Sequence, residues 1–352
     1  MKVGVFSPYL NTMGGGERYL LSVAQFFLSR KHQVNLFWPD SSILSQAQDR
    51  FGLDLSGVRV VPSDLATMGL IYKFFLSRNY DLLFYLSDGS IPSLFARENI
   101  LHFQTPFHYT NQQTFVNKVK LRNIKLIVCN SNFTKHYIDR TYGVNAAVIY
   151  PPVDVANFKT GKKENVILSV GRFFAPSHPK KQEVLIETFK RLVEEGLVNW
   201  KLILVGGTTL SSEQSVNELK KMSAGYPIEI ITDVDFALLQ KNYAQAKIYW
   251  HAAGFDENVE KFPEKAEHFG MTTVEAMAAG CVPLVFAAGG QKEIVTEGGD
   301  GFFWQTTEEL CHWTKLLISD SRKLNKLSRQ AISKAQMFSK ERFFEELEKR
   351  LL

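Results

Sequence analysis

The sequence predicts an α/β protein with two doubly wound parallel-sheet domains that face each other across a cleft. At 352 residues the chain is too long for one ordinary hydrophobic core and suits two domains. Short β-rich apolar runs alternate with helical patterns, which is typical of the βα units that build parallel sheets. The alternation is interrupted once, by Pro151-Pro152 and the polar residues that follow, and then begins again.

The first domain is predicted to span residues 1–155. Apolar runs predict strands at 3–6, 33–37, 58–61, 82–85, 126–129 and 147–150. Between the first two strands, residues 17–28 carry apolar side chains at helical spacing. Two consecutive prolines cannot continue a central strand, so the domain linker is placed at 151–164.

The second domain is predicted to span residues 160–325 and to repeat the same βα pattern. Strands are predicted at 166–170, 202–205, 228–231, 248–250 and 282–286, with helices at 182–195, 237–246 and 272–279. From residue 307 the pattern is helical to the end of the sequence, which includes an amphipathic segment at 340–351. Ligands of such sheets lie beyond the carboxyl ends of the strands, at helix N-termini.

Composition excludes several classes of protein. Hydrophobic residues make up 45% and charged residues 22%, which is typical of globular chains. No apolar run reaches the roughly 18–20 residues of a membrane span, and the first residues predict a β-strand rather than a signal peptide. Cys129, Cys281 and Cys311 are odd in number and far apart, which argues against disulfides and thiolate metal sites and favours a reducing cytoplasm.

The excess positive charge lies in the first domain. Residues 1–150 contain 15 Lys and Arg against 9 Asp and Glu, whereas the remainder contains 26 against 27. Residues 115–125 hold the densest basic cluster, interleaved with apolar side chains. This stretch is either a solvated helix face or a contact for an anionic acceptor or an anionic membrane leaflet. No recognised binding module accompanies the charge, so nucleic acid is not an expected partner.

Three consecutive glycines, Gly14-Gly15-Gly16, separate the first strand from its helix. Glycines at this place allow the backbone to approach a ligand closely, and a helix N-terminus offers N–H groups to an anion. The segment does not match G-x-G-x-x-G, which argues against a dinucleotide site. A plain tight turn is the alternative interpretation.

The first strand of the second domain is followed by Gly171-Arg172 and then by Lys180-Lys181. Arginine can hold two phosphate oxygens in a fork, and lysine supplies a mobile point charge. Together they could neutralise the roughly two negative charges of a diphosphate leaving group without a metal. The alternative is that Arg172 pairs with a surface carboxylate.

The most specific segment runs from residue 267 to residue 280. Glu267 precedes a glycine-containing turn, and Glu275 lies about one turn into the following helix. Carboxylates at these places can accept hydrogen bonds from the hydroxyls of a sugar and of a ribose. Between them, the N–H groups of Gly270, Met271 and Thr272 face a phosphate. A glycoside-hydrolase carboxylate pair is the competing interpretation, but it gives no role to the phosphate-binding groups.

The spacing Glu267-x7-Glu275, followed by Ala276-Met277-Ala278-Ala279-Gly280, resembles the signature of the retaining GT-B glycosyltransferases of family GT4. Similar segments occur in order from about residue 1 to residue 300. They are Gly14-Gly15-Gly16-Glu17-Arg18, Asn130-Ser131-Asn132-Phe133-Thr134, Pro151-Pro152-Val153-Asp154, Val170-Gly171-Arg172, Lys180 before Leu185-Ile186-Glu187-Thr188-Phe189, and Gly289-Gly290-Gln291-Lys292-Glu293-Ile294-Val295.

The resemblance implies a GT-B fold with two Rossmann-like domains and a C-terminal helix, residues 326–352, that crosses back to the first domain. It also implies that Arg172 and Lys180 bind the donor diphosphate, Glu275 the ribose, and Glu267 the transferred sugar. Family members retain the anomeric configuration and need no bound metal, so no cofactor is expected beside the nucleotide diphosphate sugar. Helix dipole and cations stabilise the departing phosphate.

Two further roles follow from the resemblance, both on the N-terminal side. Gly15 and Gly16 would line the cleft there. Relatives often place a histidine near the sugar in the region of 101–106, where His102 and Gln104 compete for that position. His102 is the predicted catalytic residue, and the alternative is a packed core histidine.

The sequence departs from the family pattern by an insertion at 256–266. Glu267-His268-Phe269-Gly270, with Trp250-His251 upstream, resembles the branch that contains lipid-linked oligosaccharide mannosyltransferases. This favours GDP-mannose over a UDP-hexose as donor. The carboxylates of the insertion lie in a stretch with Pro263, Lys261 and Lys265, which predicts a solvated, mobile loop rather than a metal cluster. His251 and His268 add little to a zinc site, because the usual ligand spacing is absent.

The predicted function is therefore transfer of a hexose to a glycan or lipid-linked acceptor, in the cytoplasm and at the inner membrane face. A glycosyl phosphorylase or a nucleotide-sugar epimerase on the same fold is the enzymatic alternative. The non-enzymatic alternative is a nucleotide-sugar binding module that has lost turnover.

Overall fold

A computed structural model describes residues 1–108, 112–173, 179–208 and 212–352. The chain divides into two compact units. The first consists of Met1–Pro152 together with Phe343–Leu352, and the second is Val153–Arg342. Each unit is built on one all-parallel sheet with helices in the connections. The predicted α/β class with two parallel-sheet domains is confirmed.

The first unit contains a seven-stranded sheet in the order β3-β2-β1-β4-β5-β6-β7. Its strands are β1 Lys2–Phe6, β2 Gln33–Phe37, β3 Val58–Val61, β4 Leu82–Leu86, β5 Glu98–Phe103, β6 Leu126–Cys129 and β7 Ala147–Val148. Its helices are α1 Gly15–Ser29, α2 Ile43–Phe51, α3 Leu70–Ser77, α4 Phe115–Leu121 and α5 Asn132–Tyr142. The chain winds outward from β1 in both directions, as in a doubly wound sheet.

The second unit contains a six-stranded sheet in the order β10-β9-β8-β11-β12-β13. Its strands are β8 Val166–Val170, β9 Lys201–Gly206, β10 Ile228–Thr232, β11 Ile248–His251, β12 Val282–Phe286 and β13 Phe302–Trp304. Its helices are α6 Gln182–Glu194, α7 Glu213–Met222, α8 Phe236–Gln245, α9 Met271–Ala278, α10 Gln291–Ile294, α11 Thr307–Ser319 and α12 Ser321–Ala335. The last helix, α13 Lys340–Leu351, begins in this unit and ends in the first one.

Apolar clusters cover both faces of the first sheet. One cluster joins α1 and α2 to the residues of α13, and the other joins β4, β5 and α5 to residues of α3 and α4. Because both faces are covered, the central strands are almost wholly apolar; all five residues of β4 are buried.

The final residues of the chain complete the core of the first unit. Phe343 contacts Tyr19 edge to face at a centroid distance of 4.9 Å, and Phe344 lies 5.4 Å from Phe26 in the same way. Leu347 is fully buried in this cluster, and Glu348 forms an ion pair with Arg30 on α1.

The core of the second unit packs α6, α7, α11 and α12 against β8, β9, β11 and β12. Two fully buried tryptophans, Trp250 on β11 and Trp304 on β13, fill its interior. In the part of the chain that the structure describes, no helix of either unit has the length and apolar character needed to cross a membrane.

The predicted strands are all present, with ends that differ by at most two residues. Two strands were missed. β5 was missed because buried polar residues interrupt its apolar run: Asn99 donates to the carbonyl oxygens of Ala96 and Asn123, at 3.1 and 2.9 Å. β13 has only three residues, too few to show a period.

Candidate active site

The reversal of strand order in the second unit lies between β8 and β11. The carboxyl ends of two such strands form the place where ligands of doubly wound sheets bind. β8 leads into Gly171-Arg172, and β11 leads through a long connection to the start of α9. The predicted donor-binding residues therefore follow these two neighbouring strands.

Glu267 is the centre of a compact ionisable cluster. One of its carboxylate oxygens, Oε2, lies 2.6 Å from Lys180 Nζ and 2.8 Å from His251 Nε2. The three side chains are 11%, 17% and 4% exposed, so little water competes for these contacts. Burial lowers the pKa of His251 and outweighs the opposing influence of Glu267, so the neutral ring donates its Nε2–H to the carboxylate.

Two glycines hold the backbone of Glu267 in place. The Gly290 N–H donates to the Glu267 carbonyl oxygen at 2.7 Å. A β-carbon on Gly289 would lie 2.1 Å from that same oxygen, so no other residue fits there without a shift of the backbone. The glycine pair of the motif at 289–295 thus positions the turn that carries Glu267.

The turn ends at Gly270, whose φ of +118° favours glycine. A β-carbon there would lie 2.7 Å from Gln291 Nε2, which donates to Thr273 Oγ1 at 3.0 Å. The N–H groups of Thr273 and Val274 donate to the Gly270 carbonyl oxygen. The first turn of α9 has two other N–H groups, those of Met271 and Thr272. Neither has an acceptor among the described residues.

Two buried tyrosines form hydrogen bonds with side chains of α9. The Tyr243 hydroxyl donates to Glu275 Oε2 at 3.0 Å, and burial raises the pKa of this tyrosine strongly, with Glu275 adding to the effect. The Tyr249 hydroxyl lies 2.9 Å from Thr272 Oγ1 and 3.3 Å from the carbonyl oxygen of Val170, the last residue of β8. Tyr249 therefore connects the end of β8 to the first turn of α9.

Arg172 extends from the end of β8 into solvent. Its carbonyl oxygen accepts a hydrogen bond from Gln182 Nε2 at 3.0 Å, and its side chain is exposed. Among the described residues no carboxylate pairs with its guanidinium, so the alternative of a surface ion pair has no partner in this part of the chain. Lys180 lies close to the same strand end, because a β-carbon on Gly171 would meet Lys180 Cγ at 2.9 Å.

Glu257 ties the insertion at 256–266 to the rest of the unit. Glu257 pairs with Lys181 at 2.8 Å and with Lys265 at 2.7 Å, and these two cations lower its pKa against the opposing effect of burial. Pro263 and Ala266 are buried. The prediction of a simply solvated loop was therefore wrong for this part of the insertion.

The glycine segment of the first unit forms the start of α1. Glu17 Oε2 accepts hydrogen bonds from the Gly14 N–H and the Thr12 hydroxyl, both at 2.9 Å. The helix thus caps its own N-terminus with a carboxylate. Gly15 is exposed, and a β-carbon on Gly16 would lie 2.9 Å from Gln104 Oε1.

His102 is a fully buried residue of β5. Its ring stacks on Tyr19 at a centroid distance of 4.0 Å, and its Nδ1 donates to the Val128 carbonyl oxygen at 3.1 Å. Gln104 Nε2 donates to His102 Nε2 at 3.0 Å, and burial lowers the pKa of the histidine to about 3. Gln104 is partly exposed and lies outside His102, so the glutamine is the nearer of the two to solvent.

The structure thus brings Lys180, Glu267 and the first turn of α9 together, and places Arg172 at the neighbouring strand end. Sequence reasoning missed the roles of His251, Tyr243 and Tyr249. The signal for His251 and Tyr249 was their place at the carboxyl end of a predicted strand, where polar side chains in an apolar run favour a site. Tyr243 gave no such signal, because its helical position is equally typical of a core residue.

Family comparisons identify the class of protein. The family Glycosyl transferases group 1 matches residues 153–334, and Glycosyltransferase Family 4 matches residues 13–157. The first match alone spans more than half of the chain. The chain belongs to the group 1 glycosyl transferases, and the predicted resemblance is confirmed.

Curated relatives share part of the sequence. A protein of Dictyostelium discoideum named GDP-Man:Man(3)GlcNAc(2)-PP-Dol alpha-1,2-mannosyltransferase is 27% identical over 62% of this chain and 45% of its own length. The proteins of the same name from Xenopus laevis and Homo sapiens are 33% and 27% identical over 47% and 62% of this chain. These matches cover 35% and 46% of the two relatives. The chain thus spans less than half the length of these three relatives.

Solved structures share the fold. Anabaena HepE in complex with UDP and glucose has a TM-score of 0.74 at 20% identity, over 100% of this chain and 99% of its own. A glycosyltransferase from Rickettsia africae has a TM-score of 0.79 at 16% identity, over 99% and 97%. The predicted GT-B class of two Rossmann-like domains is confirmed.

Proposed function

We propose that this chain transfers a hexose from a nucleotide diphosphate sugar to a hydroxyl of a glycan or lipid-linked acceptor, with retention at the anomeric carbon and without a bound metal. The observation that carries the proposal is the cluster of Lys180, Glu267 and His251 beside the open first turn of α9. Membership of the group 1 glycosyl transferases supports the reaction class.

The diphosphate of the donor has three sets of partners. The N–H groups of Met271 and Thr272 and the positive end of α9 attract its oxygens. Arg172 is exposed at the end of β8, and its guanidinium can form a bidentate contact. Lys180 pairs with Glu267 without donor, and its flexible stem allows the ammonium to share its protons with a phosphate.

The two carboxylates bind the two sugars of the donor. Glu267, held by His251, accepts hydrogen bonds from hydroxyls of the transferred hexose. Glu275 lies one turn into α9 and is buried beside Tyr243. It accepts hydrogen bonds from the ribose hydroxyls. Burial strengthens both contacts, since few water molecules compete for the carboxylates.

In the reaction, the bond between the anomeric carbon and the β-phosphate oxygen breaks, and a bond to the acceptor oxygen forms on the same face of the sugar. The acceptor hydroxyl passes its proton to the departing phosphate oxygen. Arg172, Lys180 and the α9 N-terminus stabilise the negative charge that develops on the phosphate, and this preorganised field is the chief catalytic contribution.

For the donor we favour GDP-mannose over a UDP-hexose, and for the acceptor a lipid-linked glycan. The names of the curated relatives carry both GDP-Man and a PP-Dol acceptor, which supports this choice. We place the reaction in the cytoplasm at a membrane surface. The three cysteines are buried free thiols, as suits a reducing compartment.

Titration calorimetry with GDP and UDP tests the donor site. Arg172→Ala and Glu275→Ala should each weaken nucleotide binding by about tenfold to a hundredfold, because each removes a charge-assisted hydrogen bond of about 1.5–3 kcal/mol. GDP should bind more tightly than UDP.

Two exposed residues of the second unit serve as controls. Arg322→Ala and Glu187→Ala remove the same charges from α12 and α6 and should leave nucleotide affinity unchanged. Equal affinity of Arg172→Ala, Glu275→Ala and the native chain would refute the donor site. Slow hydrolysis of the sugar donor in the absence of acceptor separates an enzyme from a binding module, which would release no free nucleotide.

A further inference from the structure

Large apolar side chains are exposed on two helices of the first unit. Ile71 and Phe75 on α3 are 76% and 66% exposed, and Phe115 on α4 is 81% exposed. We call this set the α3–α4 patch. Its members are Leu70, Ile71, Tyr72, Phe75, Phe115, Val116 and Val119.

The polarity of α3 is inverted relative to a helix that only packs on a core. Such a helix turns its apolar face inward and its charged face to water. In α3, Lys73 and Ser77 are buried instead, while Ile71 and Phe75, one turn apart, face solvent. Phe74 makes the inward aromatic contact, with Phe95 at 5.1 Å. Exposing this face to water is unfavourable unless another apolar phase covers it.

The two helices lie on the same face of the first sheet. Leu76 of α3 and Leu121 of α4 pack against the same apolar cluster, which also contains Ile91. Lys120 on α4 donates to the Ile91 carbonyl oxygen at 2.9 Å. Burial lowers the pKa of Lys73; the nearby Asp64 opposes this shift, and the charge of Lys120 adds to it.

The two chain segments that carry the patch have an excess of positive charge. Residues 65–80 and 112–125 together contain six Lys and Arg and no Asp or Glu. Arg78, Lys118 and Arg122 are exposed, and Lys125 pairs with Glu98 at 2.7 Å. A second copy of this face would meet like charge with like charge. A bilayer with anionic headgroups offers both an apolar interior and negative charge.

We propose that the α3–α4 patch is a docking surface for an anionic lipid bilayer. The apolar side chains enter the boundary between headgroups and acyl chains, and the surrounding cations contact lipid phosphates. This proposal deepens the proposed function, because it brings the chain to the membrane that holds a lipid-linked acceptor. It requires no donor, so vesicle binding and donor binding are independent measurements.

Co-sedimentation of the full chain with vesicles tests the proposal. The vesicles consist of phosphatidylcholine alone or of phosphatidylcholine with phosphatidylglycerol, each at low and at high salt. One patch variant carries Ile71→Ser and Phe115→Ser, and a second carries Lys118→Glu and Arg122→Glu. The matched controls are Val198→Ser, an equally exposed apolar residue at 71% in the second unit, and Lys220→Glu with Lys221→Glu on α7.

The native chain should bind the anionic vesicles at least about tenfold more tightly than the neutral ones, and high salt should abolish this preference. Both patch variants should lose about tenfold or more, and both controls should match the native chain. Thermal unfolding and GDP calorimetry of the patch variants should be unchanged, which separates docking from folding and from the donor site.

Three outcomes overturn the proposal: no binding of the native chain to anionic vesicles, equal loss in the controls, or full binding by the Ile71→Ser, Phe115→Ser variant. A concentration-dependent dimer of the native chain that Ile71→Ser abolishes would also overturn it, by assigning the patch to a second copy.

Discussion

Contacts within the second unit hold both the backbone and the side chain of Glu267 in place. Gly290 holds its carbonyl oxygen, while Lys180 and His251 hold its carboxylate at 2.6 and 2.8 Å. A carboxylate that is oriented in advance loses little conformational freedom when a sugar hydroxyl binds to it. Because burial lowers the pKa of His251, its neutral ring orients Glu267 and adds no second positive charge beside the ammonium group of Lys180.

His102 gives the first unit a pH-dependent stability. Its pKa is about 3 in the folded chain, below the usual value of about 6.5, because burial disfavours the charged ring. Between these two values the unfolded chain binds a proton that the folded chain does not. The contribution of His102 to stability is therefore full above about pH 6.5 and is lost as pH falls toward 3, by up to about 1.4 kcal/mol per pH unit.

Urea unfolding of the native chain and of His102→Gln at about pH 7 and about pH 5 measures this effect. The native chain should lose more free energy of unfolding than the variant between the two pH values. His312→Gln is the control, since it makes the same substitution at an exposed histidine of the second unit. An identical pH dependence in the native chain and His102→Gln would contradict the assignment of a neutral buried ring.

At the scale of elements, the start of α9 depends on the backbone of Gly270. Its φ of +118° and the 2.7 Å approach of Gln291 Nε2 leave no room for a β-carbon. Gly270→Ala should lower the free energy of unfolding by about 1–3 kcal/mol and weaken GDP binding, because the first-turn N–H groups shift. Urea unfolding and calorimetry give the two values.

Gly196→Ala is a control that separates the effect of backbone strain from the effect of a steric clash with the new β-carbon. Gly196 has a similar φ of +100°, but a β-carbon there would meet no atom within 4 Å. This control should lose stability through its backbone alone and keep its affinity for GDP. A Gly270→Ala variant with unchanged GDP affinity would argue against binding at this helix start.

The helices and strands could be predicted from sequence, because hydrophobic periodicity and the glycine and proline residues between elements are local features. The strand 166–170, for example, has the bounds predicted from its apolar run. The motif at 267–280 also placed Glu275 on a helix. The contacts of Glu267 with Lys180 and His251 were not accessible, since they join residues 87 and 16 positions apart through the tertiary fold. The anchoring of Glu257 by Lys181 escaped prediction for the same reason.

At the scale of the whole molecule, the two units are not continuous halves of the sequence. Phe343, Leu347 and Leu351 are buried in the first unit although the whole second unit separates them from residues 1–152 in the sequence. Leu347→Ala should cost about 2–5 kcal/mol, because it leaves a cavity beside α1. Hydrogen exchange should show lost protection in α1 and unchanged protection in α6 and α9.

The neighbouring Leu352 provides the matched control. It is the same residue type in the same region but 55% exposed, so Leu352→Ala should leave the exchange pattern as it is. Equal protection of α1 in Leu347→Ala and in the native chain would show that the chain end adds nothing to this core.

The placement of Phe343–Leu352 in the first unit also has a consequence for biosynthesis. A ribosome releases residues 1–152 long before it releases the segment that closes their hydrophobic cluster. Until residues 343–352 emerge, Tyr19 and Phe26 lack their contacts with Phe343 and Phe344 and remain open to chaperones and to other nascent chains. The unit that is made first is therefore the one whose folding is completed last.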